Sequence, residues 1–180
     1  MHRILILLLV ATGCSALKVT PELSPREAYA ARYVAMARAE MKRSGVPASI
    51  TLAQGMLESG NGTSRLAVKG RNHFGIKCHK GWEGRTIYED DDREHECFRR
   101  YRSVRESYRD HSDFLRTRKR YSALFELEPD DYRGWAQGLQ KAGYATNPKY
   151  AERLTALIEA ENLQRFDRGA KRFARARASR

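Results

Sequence analysis

The chain has 180 residues, 41% hydrophobic and 31% charged, enough for one domain with its own core and too few for two comfortable ones. Lysine and arginine outnumber aspartate and glutamate by 34 to 22, a net charge of +12 that draws the protein toward anionic surfaces without selecting one. No His-Glu-x-x-His run and no phosphate-binding glycine loop occurs, so the familiar zinc-hydrolase and nucleotide-binding signatures are excluded.

The N-terminus begins with Met1-His2-Arg3 and continues with an apolar run over residues 4–11, a basic-then-apolar pattern of signal-peptide length that is too short to span a bilayer. This predicts an exported protein whose signal covers residues 1–16. Ala11-Thr12-Gly13-Cys14 resembles a bacterial lipoprotein box, which would lipidate Cys14, although Ala11 stands where Leu is usual. Ordinary cleavage after Ala16 is the competing reading.

Ser24-Pro25-Arg26-Glu27 spells a capping box with proline at the first helical position, and Ala28, Tyr33, Val34, Ala37 and Met41 follow at helical spacing until Gly45. A second, amphipathic helix is expected from about Pro47, carrying Ile50, Ala53, Gln54 and Leu57 and delivering Glu58 just before Gly60-Asn61-Gly62. Glu58 is badly placed for stability there. A carboxylate in the last turn faces the negative end of the helix dipole, and Met56 and Leu57 beside it suggest partial burial. Both effects raise a carboxyl pKa, which is what a general acid for glycosidic cleavage requires. An exposed glutamate at a fraying helix end is the plainer alternative.

From about His73 to Arg100 the period shortens. Residues 74–78, 86–88 and 96–98 read as short strands, with the acidic run Glu89, Asp90, Asp91, Asp92 at the turn between the last two. Cys78 and Cys97 make an even pair in an exported chain, and a bridge closing about 20 residues would contribute roughly 3 kcal/mol. The alternative is a zinc site built with His79 and His95, whose adjacent ligands are unusual for structural zinc. Helical patterning resumes at Ser103-Val104-Arg105-Glu106 and runs through Tyr108, His111, Phe114 and Leu115 to a loop near Glu126. Pro129 opens a helix with Tyr132, Trp135, Ala136 and Leu139 on one face, stopped by Gly143. Asn147-Pro148 is expected to cap a last helix bearing Ala151, Leu154, Leu157 and Ile158. The domain is drawn over residues 24–163, followed by a basic tail, 164–180, that holds half of the excess charge and reads as solvated and disordered. Helices interrupted once by a small antiparallel sheet make an α+β domain of two lobes with room for a polymer between them.

The segments AQGMLESGNG (53–62), NHFGIK (72–77), Trp82 with Gly84, CFRRY (97–101) and AGYATNPKYAERL (142–154) together resemble the bacterial peptidoglycan glucosaminidase family, glycoside hydrolase family seventy-three, over about residues 29–163. The resemblance implies a lysozyme-like fold: a mainly helical domain with a small antiparallel β-lobe over a substrate cleft. It also implies hydrolysis of the β-1,4 bond after N-acetylglucosamine in peptidoglycan glycan strands. Residue by residue, Glu58 matches the general acid and Tyr144 the aromatic beside the scissile bond, while Asn147 stands where many relatives have Asp. Relatives often supply a second carboxylate from the β-lobe, and Asp91, then Asp92, are the candidates here. A carboxyl separation of about 5 Å would indicate retention and one above about 6.5 Å inversion, while a substrate acetamido group could replace a protein nucleophile altogether.

Gln54, Phe74, Gly75, Trp82 and Asn147 complete the expected substrate-binding set. No cofactor and no metal is called for. The expected partner is the peptidoglycan strand in the periplasm or cell envelope, with anionic lipid or wall polymer attracted to the tail. A muramidase or lytic transglycosylase of the same fold, a silent glycan-binding module, and a nucleic-acid binder supported only by charge are the other readings.

Overall fold

The rest of the chain is built around helix α2, Ala48–Ser59. Every residue from Ala48 to Met56 is buried, so α2 is a central helix and not the amphipathic one its sequence suggested. That pattern came from its small polar residues, Ser49, Thr51 and Gln54, which are buried here, the Thr51 hydroxyl donating to Pro47 O, Gln54 to Tyr150 and the Ser49 N–H to Asp167. The computed structural model describes residues 22–91 and 93–169. The expected signal segment with Cys14, Asp92, and residues 170–180 of the tail lie outside the described residues.

Helix α1, Pro25–Ser44, packs along α2. Its capping box forms as spelled: the Glu27 N–H donates to Ser24 Oγ at 3.2 Å and the Ser24 N–H donates to Glu27 Oε2 at 2.8 Å. Gly45, at φ 88°, ends it in the left-handed conformation. Tyr33, Ala37 and Met41 are buried as the spacing predicts and Val34 is half-buried, while Ala28 is exposed and Tyr29 and Ala30 take its place in the stripe. Gly55 of α2 allows the close approach. A Cβ there would sit 2.3 Å from the Tyr29 hydroxyl.

The opposite side of α2 is covered by helix α6, Tyr150–Ala160, through Leu154, Leu157 and Ile158. Between α1 and α6 in the chain come helix α4, Val104–Thr117, a 3₁₀ segment, Lys119–Glu126, where a loop was expected, and helix α5, Tyr132–Lys141. α5 begins at Asp131, whose Oδ1 accepts from the Gly134 N–H, and not at Pro129. Asn147 does not cap α6: Lys149 holds that position, and Asn147 Oδ1 accepts from the Lys149 N–H in the preceding turn. The domain also runs past residue 163. Leu163–Asp167 form a 3₁₀ turn packed on α2, with Leu163 and Asp167 buried, so the tail boundary falls too early at Gln164.

The small lobe begins with a helix that the sequence reading did not foresee, α3, Arg65–Gly70, started by Ser64 Oγ accepting from the Ala67 N–H. A hairpin follows, β1 Thr86–Glu89 against β2 Glu96–Arg99, antiparallel with Ile87 opposite Phe98. Residues 74–78 are not a full strand. Gly75, at φ 59°, breaks the extended run, and the Asn72 amide takes up backbone groups that a ladder would have used, donating to Ile76 O and Arg99 O and accepting from the Ile76 N–H. Only Lys77 bridges to Phe98, and the Cys78 N–H donates to Cys97 O at 2.8 Å. The Cys78–Cys97 disulfide ties this segment to β2, with Cα atoms 5.3 Å apart, and takes both thiolates from any zinc reading.

Candidate active site

Glu58 occupies the penultimate position of α2, where the buried helix reaches the surface. Gly60 then turns the chain in the left-handed conformation, at φ 56°, and the Ser59 hydroxyl accepts from the Gly62 N–H at 2.7 Å, fixing the glycine-rich turn beside the carboxyl. A cavity of about 350 Å³ opens between the helical body and the small lobe. Glu58 and Tyr144 line it together with Phe74, Gly75, Lys77 and Asp91. Burial pushes the Glu58 carboxyl up from 4.5 to about 7, opposed by the Tyr150 hydroxyl and the Arg153 charge and helped by the nearby charge of Asp91. A carboxyl at that value is half protonated near neutrality.

Behind Glu58 stands a line of buried donors. The Tyr150 hydroxyl donates to Glu58 Oε1 at 3.4 Å, Gln54 Nε2 donates to the Tyr150 oxygen at 2.9 Å, and His111 Nε2 lies 3.0 Å from Gln54 Oε1. Burial lowers the His111 pKa to about 3, so its ring is neutral and, in this arrangement, carries its proton on Nε2. Every hydrogen bond in the line points toward Glu58. Gln54 is fully buried, so it touches Tyr150 and His111 and cannot reach a sugar as the sequence reading expected. Phe74 stacks on His111 at 4.0 Å between ring centroids and is 4% exposed, mostly packing with one edge at the cleft.

The acidic run is divided by its partners. Glu89 pairs with Arg65, and Asp90 Oδ1 accepts from the His95 N–H at 2.7 Å to close the turn. Asp91 lines the cleft and pairs with Lys77 at 3.0 Å, and Lys77 also holds Glu96 at 2.6 Å. Among the described residues that line the cleft, Glu58 and Asp91 are the carboxylates. Tyr144 stacks on Tyr150 at 5.6 Å. Gly75 forms part of the wall, and a side chain there would meet nothing within 4 Å.

Two expected members of the site are elsewhere. Trp82 donates its indole N–H to Arg85 O, lies 4.5 Å from the Arg99 guanidinium and does not line the cleft; its aromatic face is used within the small lobe. Asn147 is exposed in the turn before α6 and is likewise outside the lining. The sequence reading gave no role to Tyr150, although it lies in the same AGYATNPKYAERL segment as Tyr144, or to Lys77, which ends NHFGIK. His111, Phe114, His79 and Arg120 carried no signal beyond helical spacing or cysteine proximity.

A mainly helical body, a two-stranded lobe and a screened glutamate in the cleft between them place this domain in the lysozyme-like class. The chain belongs to the glucosaminidase family: the family model described as mannosyl-glycoprotein endo-beta-N-acetylglucosaminidase matches residues 34–163. It is 32% identical over 161 residues to exo-glucosaminidase LytG of Bacillus subtilis, covering 83% of this chain and 56% of that protein. It is 34% identical over 150 residues to peptidoglycan hydrolase FlgJ of Pseudomonas aeruginosa, covering 77% of this chain and 37% of that protein. The chain thus spans about half or less of the curated relatives it matches. Among solved structures, the glycoside hydrolase domain of Salmonella typhimurium FlgJ superposes with a TM-score of 0.65 at 30% identity, covering 86% of this chain and 98% of that one. The catalytic domain of the Listeria monocytogenes autolysin Auto gives 0.69 at 26% identity, covering 83% and 91%.

Proposed function

We propose that this chain is an exported glycoside hydrolase that cuts the β-1,4 bond after N-acetylglucosamine in peptidoglycan strands, with Glu58 as general acid. The observation that carries the reading is a carboxyl group raised to about 7 and facing a cleft between two lobes. Its proton passes to the glycosidic oxygen as the bond to the anomeric carbon breaks, and the leaving sugar departs as a neutral alcohol. Positive charge then grows on the sugar ring. Asp91, paired with Lys77 in the same lining, would stabilise that charge or take a proton from the attacking water. Tyr144 walls the cleft beside Glu58. Names such as peptidoglycan hydrolase and exo-glucosaminidase among the relatives support the substrate class.

The N-terminal signal, lipidation of Cys14 and attraction of the basic tail to anionic lipid or wall polymer belong to the same proposal, supported by sequence pattern and net charge. Digestion of purified peptidoglycan followed by mass analysis is the test. The expected fragments end in N-acetylglucosamine at the reducing end. Ends in muramic acid, or an anhydro ring, would replace this reading with a muramidase or transglycosylase. The same digestion with Asp91→Asn is expected to slow by about 10²-fold or more. Unchanged turnover would remove Asp91 from the mechanism, leaving Asp92 or the substrate acetamido group as partner of Glu58.

A further inference from the structure

One wall of the cleft carries cations that the chemistry above does not use. Phe114 and Arg120 line the cleft with Glu58, and so does His79. The Phe114 ring has the Arg118 guanidinium 4.0 Å from its centroid and the His79 ring at 5.6 Å. Arg120 lies 4.7 Å from the ring of Tyr121, itself 5.9 Å from Phe114. Several other arginines find carboxylates: Arg43 has Glu40 and Asp113, Arg65 has Glu89, Arg99 has Asp110, and Arg133 has Glu159. Arg118 and Arg120 form no ion pair among the described residues. The Arg118 pKa is lowered by burial first and then by the Arg120 charge, with Tyr121 and Asp110 acting in the opposite sense, and His79 is lowered by burial and by the charges of Arg118, Arg99 and Arg120 against a hydrogen bond to the Lys77 backbone.

We propose that Arg120 in the cleft wall, with Arg118 behind it on the Phe114 ring, forms an anion subsite that takes a carboxylate borne by a muramyl residue of the glycan strand. The inference rests on the reading given under Proposed function and adds a determinant of which sugar occupies this wall. Two like charges held near one apolar ring, neither in an ion pair among the described residues, are placed to be completed by a ligand. A muramyl residue supplies what they lack. Its lactyl substituent ends in a carboxyl group beside a methyl, and when that carboxyl is amide-linked to a peptide, the peptide brings carboxylates of its own. The methyl suits the Phe114 ring and the carboxylate suits the guanidinium fork. N-acetylglucosamine lacks the lactyl group and its carboxyl, its methyl belonging to the acetamide that both sugars share, so the subsite would read the alternation of the strand.

The full chain carrying Glu58→Gln, which leaves strands uncut, provides the binding measurement. Affinity is compared for strands stripped of peptide and strands bearing it, each before and after the carboxyl groups are converted to amides. Native strands are expected to bind about tenfold more tightly than amidated ones, as a charge-assisted hydrogen bond would give. Arg120→Gln is expected to bring that ratio close to one, while Arg38→Gln, on the exposed face of α1, should leave it as it was. A ratio that survives in stripped strands assigns the lactyl carboxylate; one seen only with peptide present assigns the peptide. Equal binding of native and amidated strands overturns the subsite, as does an equal loss in Arg38→Gln, which would mean diffuse attraction to a +12 protein. Strand cleavage by the unsubstituted chain separates the two failures: cleavage without charge preference sinks only the subsite, and no cleavage sinks the functional reading beneath it.

Discussion

Helix α2 has a carboxyl group at each end, and the two are held on opposite terms. At its N-terminus, where Pro47 offers no side-chain cap, Asp167 arrives from the far end of the chain and accepts the Ser49 N–H at 2.9 Å. At its C-terminus Glu58 meets the negative end of the same helix, and among the described residues the Tyr150 hydroxyl at 3.4 Å is its side-chain hydrogen-bond partner, with the Arg153 charge beside it. Burial raises both, Asp167 from 3.8 to about 6 and Glu58 from 4.5 to about 7. For Asp167 the N–H groups of Ser49 and Ala48 oppose the shift, and the helix dipole favours the charge. Glu58 receives no such return. An acid screened from water where the fold gives little back is what a proton donor needs and what stability alone would avoid.

The largest break in this comparison is Glu58→Gln. Turnover is expected to fall by about 10²–10⁴-fold, because the amide keeps the shape and cannot give up a proton. Stability should move the other way. A carboxyl whose folded pKa lies above its unfolded value favours the fold when protonated, so its contribution is intact below about pH 4.5 and is lost as pH rises through about 7. The variant should therefore match the parent near pH 4 and exceed it at pH 8 by about 3 kcal/mol in urea unfolding. Equal stability at both pH values would show that Glu58 is not strained by its position. Parent activity should fall above about pH 7 for the same reason.

Between the two ends, Gly55→Ala tests how tightly the helix is held. Its Cβ would meet the Tyr29 hydroxyl at 2.3 Å, and that hydroxyl is fixed by His73 Nδ1 and the Tyr108 hydroxyl, each at 2.9 Å. The overpacking cost, about 1–3 kcal/mol, should outweigh the roughly 1 kcal/mol that alanine returns in a helix interior. A rise in Tm would mean that the Tyr29 network yields easily. Asp167→Ala should cost about 1–2 kcal/mol by removing the cap, and Asp167→Asn less, because an amide oxygen can still accept from Ser49. The same unfolding measured for both variants tells the cap from the charge: equal losses would mean that the negative charge matters and the acceptor does not.

Much of this contrast was legible in the sequence at one end and hidden at the other. Glu58 could be read because a helix stop, apolar neighbours and a glycine turn are adjacent in the chain, and the capping boxes at Ser24 and Ser103 are equally local. Asp167 could not, since its role depends on a contact 118 residues away, and charge counting placed it in a tail. Gln54 shows the limit of periodicity: it does share a face with Glu58, but neighbouring elements cover that face, which turned an expected sugar contact into a buried support. Trp82 and residues 74–78 failed for a related reason. Aromatic identity and alternation do not reveal which side chain a lobe keeps for itself, or that Asn72 takes backbone hydrogen bonds from a strand.

The smallest expected effect sharpens the comparison most. Tyr150→Phe removes the hydroxyl that donates to Glu58 and leaves burial, Arg153 and Asp91 to set its pKa. That hydroxyl now lowers the value, so its loss should move the alkaline limb of the pH–rate profile upward. Turnover on the acid side of the profile should stay within about tenfold of the parent, since the proton is still carried by Glu58. Gln54 Nε2 would lose its acceptor, for a stability cost of about 1–3 kcal/mol, the usual penalty of a buried donor left unsatisfied. A limb that moves upward while the fold weakens slightly would identify Tyr150 as the group that restrains the acid, with Gln54 and His111 positioning it from behind. A limb that stays in place would mean that desolvation alone sets Glu58, and the buried line of donors would then serve the core and not the chemistry.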